Sequence, residues 1–256
     1  MSFCAVRQVA QMSELLGYFS MNYSIVERYD VIMFCTRSMN KEIQLIKERV
    51  LLRPYCLDDV EFLYEAARES VVEVQNWLPW CHANYSRQES ETWIKSCDEA
   101  WAKGTAYEFA IFDTKTGLYL GGCGLNHIDP IDKIANLGYW VRSSQTSEGV
   151  ATTATILLVH FGFRGLKLNR IEIVAATGNK ASQRVAEKAG AKREGILRNR
   201  CTVNDQVLDA MMFSFIPQDF PEINLSDCGA KGIQIFDLLY PKEFTPQRQS
   251  RFHSLP

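Results

Sequence analysis

The sequence lacks features that would assign the protein to several common classes. It has no basic excess, with 28 Lys and Arg against 30 Asp and Glu, so we expect no nucleic acid partner held through its phosphates. Its eight cysteines are scattered, with no CxxC pair and no histidine beside them at metal-ligand spacing. This pattern predicts no metal site and favours a reducing compartment.

Long apolar runs are also scarce. The strongest early cluster, residues 31–35, is far too short to cross a bilayer, and no basic start followed by a long apolar run opens the chain. We therefore expect a cytoplasmic protein with no membrane contact. Of the 256 residues, 46% are hydrophobic, which is enough for the core of one domain with appendages.

Changes in composition and periodicity along the chain predict three regions. Residues 1–46 form an N-terminal extension of unassigned role, with a short helix predicted around residues 8–19. The main domain covers residues 47–218. A tail at 219–256 carries an apolar patch at 233–240 and then turns polar, so both docking onto the domain and disorder stay open.

The main domain opens with a strand at residues 50–54, followed by a helix for which Asp58 is the predicted N-cap. A capping box of Ser86 and Glu89 predicts a second helix, with Trp93, Cys97 and Trp101 along one stripe. The segment 77–80 between the helices, Trp-Leu-Pro-Trp, is either ordinary packing or a substrate-facing aromatic loop.

Three strands follow, at residues 107–112, 118–125 and 135–141, and they predict an antiparallel meander. A polar loop at 142–148 then leads into a helix that starts near Gly149. The first amides of a helix have no internal partner and lie at its positive end, so they favour an anion. Gly149 and Ala151 would let a pyrophosphate approach the backbone, although Gly149 could also simply ease the turn.

A second strand, loop and helix come directly after. The strand covers residues 170–175, and Asn179 and Ser182 fall at the start of the next helix, where each could cap amides or reach a ligand. Gly190 fits the end of this helix. A turn at Asn204-Asp205 and a strand at 207–215 complete the domain.

These motifs, in this order, resemble one family. They are Gly138-Tyr139-Trp140-Val141, Gly149-x-Ala151, Asn179-x-x-Ser182 running on to Glu187-Lys188-x-Gly190, and Glu194-Gly195. The combination resembles the GNAT superfamily of N-acetyltransferases, and within it the subgroup that acetylates the N-termini of ribosomal proteins. Several spaced motifs in the right order are more specific than any one of them.

The resemblance implies an α/β GNAT fold, in which a central mixed, mostly antiparallel sheet is flanked by helices. The sheet would splay into a V between the strands ending near Val141 and Ala175, and acetyl-CoA, the co-substrate, would lie in that V. The predicted cofactor contacts are Trp140, Val141, Arg142, Thr146, Ser147, Glu148, Gly149, Val150, Ala151, Thr152, Asn179 and Ser182.

The chain departs from the family pattern at three places. Thr146 stands where Gln or Arg is usual, although Gln145 lies one position earlier. Glu148 would cost on the order of 1 kcal/mol beside a pyrophosphate unless it turns to solvent, which we expect. Ala186 replaces a tyrosine that many members use as the acid, so Ser182 becomes the candidate acid, and Arg142, Lys180 or Arg184 could bind a CoA phosphate.

The implied reaction is direct attack of a neutral primary amine on the thioester, with the oxyanion met by a backbone N–H near Val141. The base candidates are Glu108, Glu172 and Asp209, with His127 also near the expected acceptor side. Cys123 is interpreted as a buried, inert thiol. We expect a monomer or homodimer.

The acceptor is expected to be a protein N-terminal α-amine. A small-molecule amine such as a polyamine or an antibiotic is the alternative. A non-catalytic CoA-binding sensor and an α/β domain for another phosphate ligand also stay open.

Overall fold

The structure is a computed structural model that describes residues 43–220. Most of the predicted extension (1–46) and tail (219–256) lies outside the described residues. So do the predicted helix at 8–19 and the apolar patch at 233–240.

Eight strands form one sheet in the order β1-β2-β3-β4-β5-β6-β8-β7. The strands are β1 (Leu45–Lys47), β2 (Val50–Pro54), β3 (Tyr107–Asp113), β4 (Tyr119–Asp129), β5 (Ile134–Val141), β6 (Arg170–Ala176), β7 (Lys192–Val203) and β8 (Gln206–Phe215). Every neighbouring pair is antiparallel except β5 and β6. The mixed, mostly antiparallel sheet is therefore confirmed.

Four helices flank the sheet: α1 (Val60–Val74), α2 (Arg87–Lys103), α3 (Val150–His160) and α4 (Lys180–Lys188). Successive strand residues point to opposite faces, so the sheet has a core on each side. Residues such as Leu125, Leu137 and Phe213 pack with α3, whereas Ala110 and Tyr119 pack with α1 and α2. Among the described helices, none is long and apolar enough to cross a membrane.

The V predicted between β5 and β6 is present. The two strands pair over only three positions, Ile134 with Arg170, Ala135 with Ile171 and Asn136 with Glu172. Beyond these positions β5 continues to Val141, and among the described strands only β4 lies beside it, so one edge of its second half is open there.

The start of α1 differs from the prediction. Asp58 is not the N-cap, because it lies within a short 3-10 turn, Leu57–Asp59, and the N-cap position is Asp59. The Asp59 carboxylate is fully buried and accepts two hydrogen bonds from the Arg53 guanidinium, at 2.6 and 2.7 Å. A bidentate charged pair fixes this turn more strongly than an exposed cap would.

The capping box at the start of α2 is confirmed, because Ser86 and Glu89 bond reciprocally. The predicted stripe is wrong at Trp93, which is 44% exposed. A helix turns every 3.6 residues, so a strict spacing of four drifts off one face. The buried residues are Ser90, Ile94, Cys97 and Trp101.

Two strands were not predicted. β1 is only three residues long, and β7 has mainly exposed residues with two breaks in its pairing to β8. Neither shows the alternation of polar and apolar residues that identifies a strand. The turn after β7 is as predicted, with positive φ at Asn204 and Asp205, 48° and 60°, typical of a tight hairpin.

Candidate active site

The open edge of β5 presents alternate backbone groups to the V. The Arg142 N–H donates to the Leu120 carbonyl at 2.9 Å, so the backbone of Arg142 and, two residues earlier, of Trp140 faces β4. The backbone of Tyr139 and Val141 must then face the gap. Of the three edge residues predicted to meet the cofactor, only Val141 turns its N–H into the V.

The first half of the polar loop is fastened to α1. The Ser143 N–H donates to Ser70 Oγ at 3.0 Å and the Ser144 N–H to Glu69 Oε1 at 2.9 Å. The Thr146 N–H donates to the Ser143 carbonyl at 3.3 Å. The amide of Thr146 is therefore occupied, and the backbone cradle can start only after it.

The second half of the loop is exposed and leads into α3. Ser147 and Gly149 have positive φ, 66° and 77°, and these left-handed residues turn the chain into the helix. The N–H groups of Val150, Ala151 and Thr152 form the first turn of α3, where no carbonyl four residues earlier in the helix can accept them. Together they form a helix start of the kind that can bind an anion, beside the open edge of β5.

Glu148 lies at the mouth of this cradle. Its side chain is 60% exposed, with one oxygen 3.8 Å from Arg49 Nη1. Arg49 is held in turn by Asp113 at 2.7 Å and Gln145 Oε1 at 3.0 Å. The expected solvent-facing orientation is confirmed, and an exposed pair of this kind contributes little energy.

The side chain of Arg142 is committed to the protein. Its guanidinium binds Glu69 and the Tyr119 carbonyl, and only 14% of the side chain is exposed. Arg142 lowers the pKa of Glu69 to about 2, with help from Ser144. Arg142 therefore anchors the loop to α1 and is not free to bind a phosphate.

The predicted acid, Ser182, stands in the first turn of α4. Asn179 caps this helix, since its Oδ1 accepts the Ser182 N–H at 3.0 Å. The Tyr139 hydroxyl donates to the Ser182 carbonyl at 2.9 Å and lies 2.9 Å from Ser182 Oγ. Burial raises the pKa of Tyr139 to about 12, so its proton stays in place at neutral pH.

The pair of hydroxyls at Ser182 and Tyr139 joins β5 to α4 across the V. Sequence reasoning included Tyr139 in a motif but gave it no role. Ala186 is fully buried in the core, so no hydroxyl group enters the V from the position that many family members use.

A cavity of about 350 Å³ lies on the side of the sheet that carries α1 and α2. Glycine at two alternate positions of β4 leaves room for the side chains that form its floor. A Cβ on Gly122 would lie 2.3 Å from the Tyr55 hydroxyl, and one on Gly124 would lie 2.0 Å from Glu108 Oε2. Glycine inside a strand often marks such a close approach, and this was the signal available in the sequence.

Glu108 is the carboxylate at this floor. Burial raises its pKa to about 7, although Asn126 Nδ2 donates to its Oε1 at 3.4 Å. Asn126 is held in turn by Asn136 Nδ2, at 2.9 Å from its Oδ1. A half-ionised carboxylate next to a cavity is suited to proton transfer at neutral pH.

The other base candidates have different surroundings. Glu172 pairs with Arg170 at 2.7 Å, and Asp209 is exposed and accepts the Asn199 N–H at 2.8 Å. His127 is exposed in a bulge of β4 and does not line the cavity. Cys123 is 3% exposed, and burial raises its pKa well above the ordinary value, as expected for an inert thiol.

Aromatic side chains form the wall of the cavity. The Trp80 ring packs against Trp140 and Tyr85, with centroid distances of 5.2 and 5.6 Å. Leu78 and Trp80 line the cavity, whereas Trp77 lies against Gly178. The segment 77–80 therefore faces the cavity and packs at the same time.

An anion-binding helix start beside an unpaired strand edge fits a carrier that has a diphosphate and a hydrogen-bonding arm. With a carboxylate of raised pKa nearby, this arrangement defines an acyl-CoA-dependent transferase. Residues 49–192, more than half of the chain, match the family model of the acetyltransferase (GNAT) domain. The chain belongs to the GNAT acetyltransferases, and it is an N-acetyltransferase that uses acetyl-CoA.

Individual relatives agree with this assignment. The uncharacterized N-acetyltransferase p20 of Bacillus licheniformis is 28% identical over 177 residues, which cover 69% of this chain and 97% of the relative. The ribosomal-protein-serine acetyltransferase of Escherichia coli is 26% identical over 171 residues, covering 67% and 94%. RimJ of Mycobacterium smegmatis, solved with a CoA-disulfide, has the same fold, with a TM-score of 0.66 at 21% identity over 71% of this chain and 90% of RimJ.

Proposed function

We propose that the chain acetylates the α-amine of a protein N-terminus by direct attack within a ternary complex. The observation that carries this proposal is Glu108, a carboxylate with a pKa of about 7 at the floor of a cavity beside β5. An amine must lose its proton before it can attack, and Glu108 is placed to accept it. The catalytic domain is placed at residues 47–218.

We assign a group of the chain to each step of the acetyl transfer. The α-ammonium gives a proton to Glu108, its nitrogen attacks the thioester carbonyl, and the C–S bond breaks to release CoA thiolate. The Val141 N–H on the open edge would stabilise the oxyanion. The nitrogen loses its second proton as the amide forms, and the hydroxyl pair of Ser182 and Tyr139 would relay this proton to the thiolate, so that both hydroxyl groups stay protonated.

The cofactor is held by backbone groups. Residues Ser147 to Thr152 supply N–H groups for its diphosphate at the start of α3. When bound, acetyl-CoA supplies the activated acetyl group. No covalent enzyme intermediate is needed, because holding the two reactants together supplies much of the rate enhancement.

The choice of an N-terminal amine is supported by the relatives. One of those described above is named for acetylating ribosomal protein at serine. The carboxylates Glu89 and Glu108 line the cavity without a lysine or arginine beside them, so a cationic amine is favoured there over an anion.

A thiol-release assay with acetyl-CoA tests the proposal. The acceptors are unmodified peptides, the same peptides with formylated N-termini, polyamines and aminoglycosides. We expect turnover with the free peptides and none with the formylated ones, with the acetyl group found on the α-amine by mass spectrometry. Turnover only with polyamines or aminoglycosides would overturn the peptide assignment, and stabilisation by CoA without turnover of any acceptor would indicate a sensor.

A further inference from the structure

The cavity beside Glu108 offers much more apolar surface than an amine alone would need. Its side walls include Leu63, Leu78, Trp80, Tyr85 and Trp93. Trp80 and Trp93 are 38% and 44% exposed, so part of each indole is accessible to solvent. Large exposed aromatics grouped around a concave site mark a binding surface.

Two carboxylates line the cavity, and they differ in how well their hydrogen bonds are satisfied. Glu89 is already satisfied, because it accepts the Ser86 N–H at 2.9 Å and lies 2.9 Å from His82 Nε2. Glu108 has only the long bond from Asn126, at 3.4 Å. Among the cavity-lining residues there is no lysine or arginine. The cavity therefore fits a molecule with a cationic end at Glu108 and an apolar body.

Gly122 and Gly124 allow the Tyr55 and Glu108 side chains to lie directly against β4 at the floor of the cavity. Any side chain on Gly122 or Gly124 would collide with Tyr55 or with Glu108 itself. A cavity of about 350 Å³ is within the range of sites for small organic ligands. A serine or alanine side chain would leave most of this space to water.

We propose that the acceptor's first residue carries a large apolar or aromatic side chain, which occupies the cavity of Trp80 and Trp93 while its α-amine meets Glu108. This inference rests on the proposed function. It separates the chain from a relative named for serine, whose side chain would bury little surface here. Burying one large apolar side chain favours binding by about tenfold to a hundredfold.

Matched peptides test the specificity. The full chain is assayed with acetyl-CoA and peptides that differ only at residue 1, which is Phe, Leu, Ser or Ala. We expect kcat/KM for the Phe and Leu peptides to exceed that for the Ser and Ala peptides by about tenfold or more. Equal values, or faster reaction of the Ser and Ala peptides, would overturn the inference while leaving the proposed function intact.

Two alanine variants test whether the preference for a large first residue depends on the cavity wall. Trp93→Ala removes an indole of the cavity wall, and Phe62→Ala removes an equally exposed aromatic of α1 that does not line the cavity. We expect Trp93→Ala to lower kcat/KM for the Phe peptide about tenfold and to leave the Ser peptide nearly unchanged, with Phe62→Ala affecting neither. A uniform loss with all peptides would contradict the assignment of the cavity.

Two outcomes distinguish the proposed function from the side-chain inference. If no peptide is acetylated but a polyamine or an aminoglycoside is, both the proposed function and the side-chain inference fall. If peptides are acetylated without regard to their first residue, only the inference falls.

Discussion

Replacing Glu108 with glutamine should change activity and stability in opposite directions. Glu108→Gln keeps the size of the side chain and the contact with Asn126 but removes the titrating oxygen. As the proposed base, Glu108 should contribute about 100-fold or more to kcat/KM. The first expectation is a loss of that size near pH 7.5, measured by thiol release with the best peptide acceptor.

The pH profile makes the test specific. Below about pH 7 both Glu108 and an α-amine of ordinary pKa, about 8, are protonated in the native enzyme. Transfer of the amine proton to Glu108 requires only that the carboxyl group be ionised, so the logarithm of kcat/KM should rise with a slope of about 1 and level off near pH 7. In Glu108→Gln the amine must arrive already neutral, so the rise should continue to about pH 8.

Stability should show the opposite effect. The fold raises the pKa of Glu108 from 4.5 to about 7, so the contribution of Glu108 to stability is greatest below pH 4.5 and is lost as the pH rises through about 7. The loss corresponds to about 3 kcal/mol. Glutamine cannot ionise, so the variant should be more stable than the native protein at pH 8, with a Tm higher by about 5 to 10 °C.

Glu65→Gln on the exposed side of α1 is the matched control, and it should alter neither activity nor the pH dependence of Tm. Native activity in Glu108→Gln, with a pH profile that still levels off near pH 7, would exclude Glu108 as the base. A Tm difference that is constant between pH 4.5 and 8 would show that the carboxylate is not desolvated.

Three further predictions concern other parts of the domain. Ser182→Ala should lower kcat more than it raises the KM for acetyl-CoA, and Tyr139→Phe should do the same more weakly; steady-state kinetics with unchanged kcat in both would remove the hydroxyl pair from the mechanism. Gly149→Val should weaken CoA binding about tenfold by calorimetry, because its φ of 77° costs a β-branched residue about 1–2 kcal/mol; an unaltered Kd would argue against the cradle at the start of α3. Burial, with Arg164 and Lys47 nearby, lowers the pKa of His160 below 6.5, so the contribution of His160 to stability is present above pH 6.5 and is lost as the pH falls. His160→Phe should therefore raise Tm relative to the native protein more at pH 5.5 than at pH 7.5. Equal Tm differences at the two pH values would contradict this prediction.

The local parts of the site could be predicted from the sequence. The loop at 142–148 and the start of α3 depend on residues next to one another in the chain, as does the cap of α4 by Asn179. Short-range signals of this kind are visible in a sequence because the backbone needs them locally. The Thr146 N–H bonds to the Ser143 carbonyl, so we expect the proposed cradle to start at Ser147.

The cavity could not be predicted in the same way. Its floor contains Glu108, which pairs with Gly124 of the neighbouring strand. Its wall contains Trp80 from a loop and Trp93 from α2. These contacts depend on strand register and helix docking, which no local pattern specifies. The stripe prediction for α2 failed at Trp93 because a strict spacing of four residues drifts off one face of a helix.

The strands β5 and β6 pair at three positions, so the half of the sheet that ends at β5 and the half that begins at β6 share hydrogen bonds only at one end of these strands. A molecule lying in the gap can replace the hydrogen bonds that the strands do not make with each other. A ligand bound there would take the place of a neighbouring strand along β5. Its binding should therefore raise the stability of the folded domain.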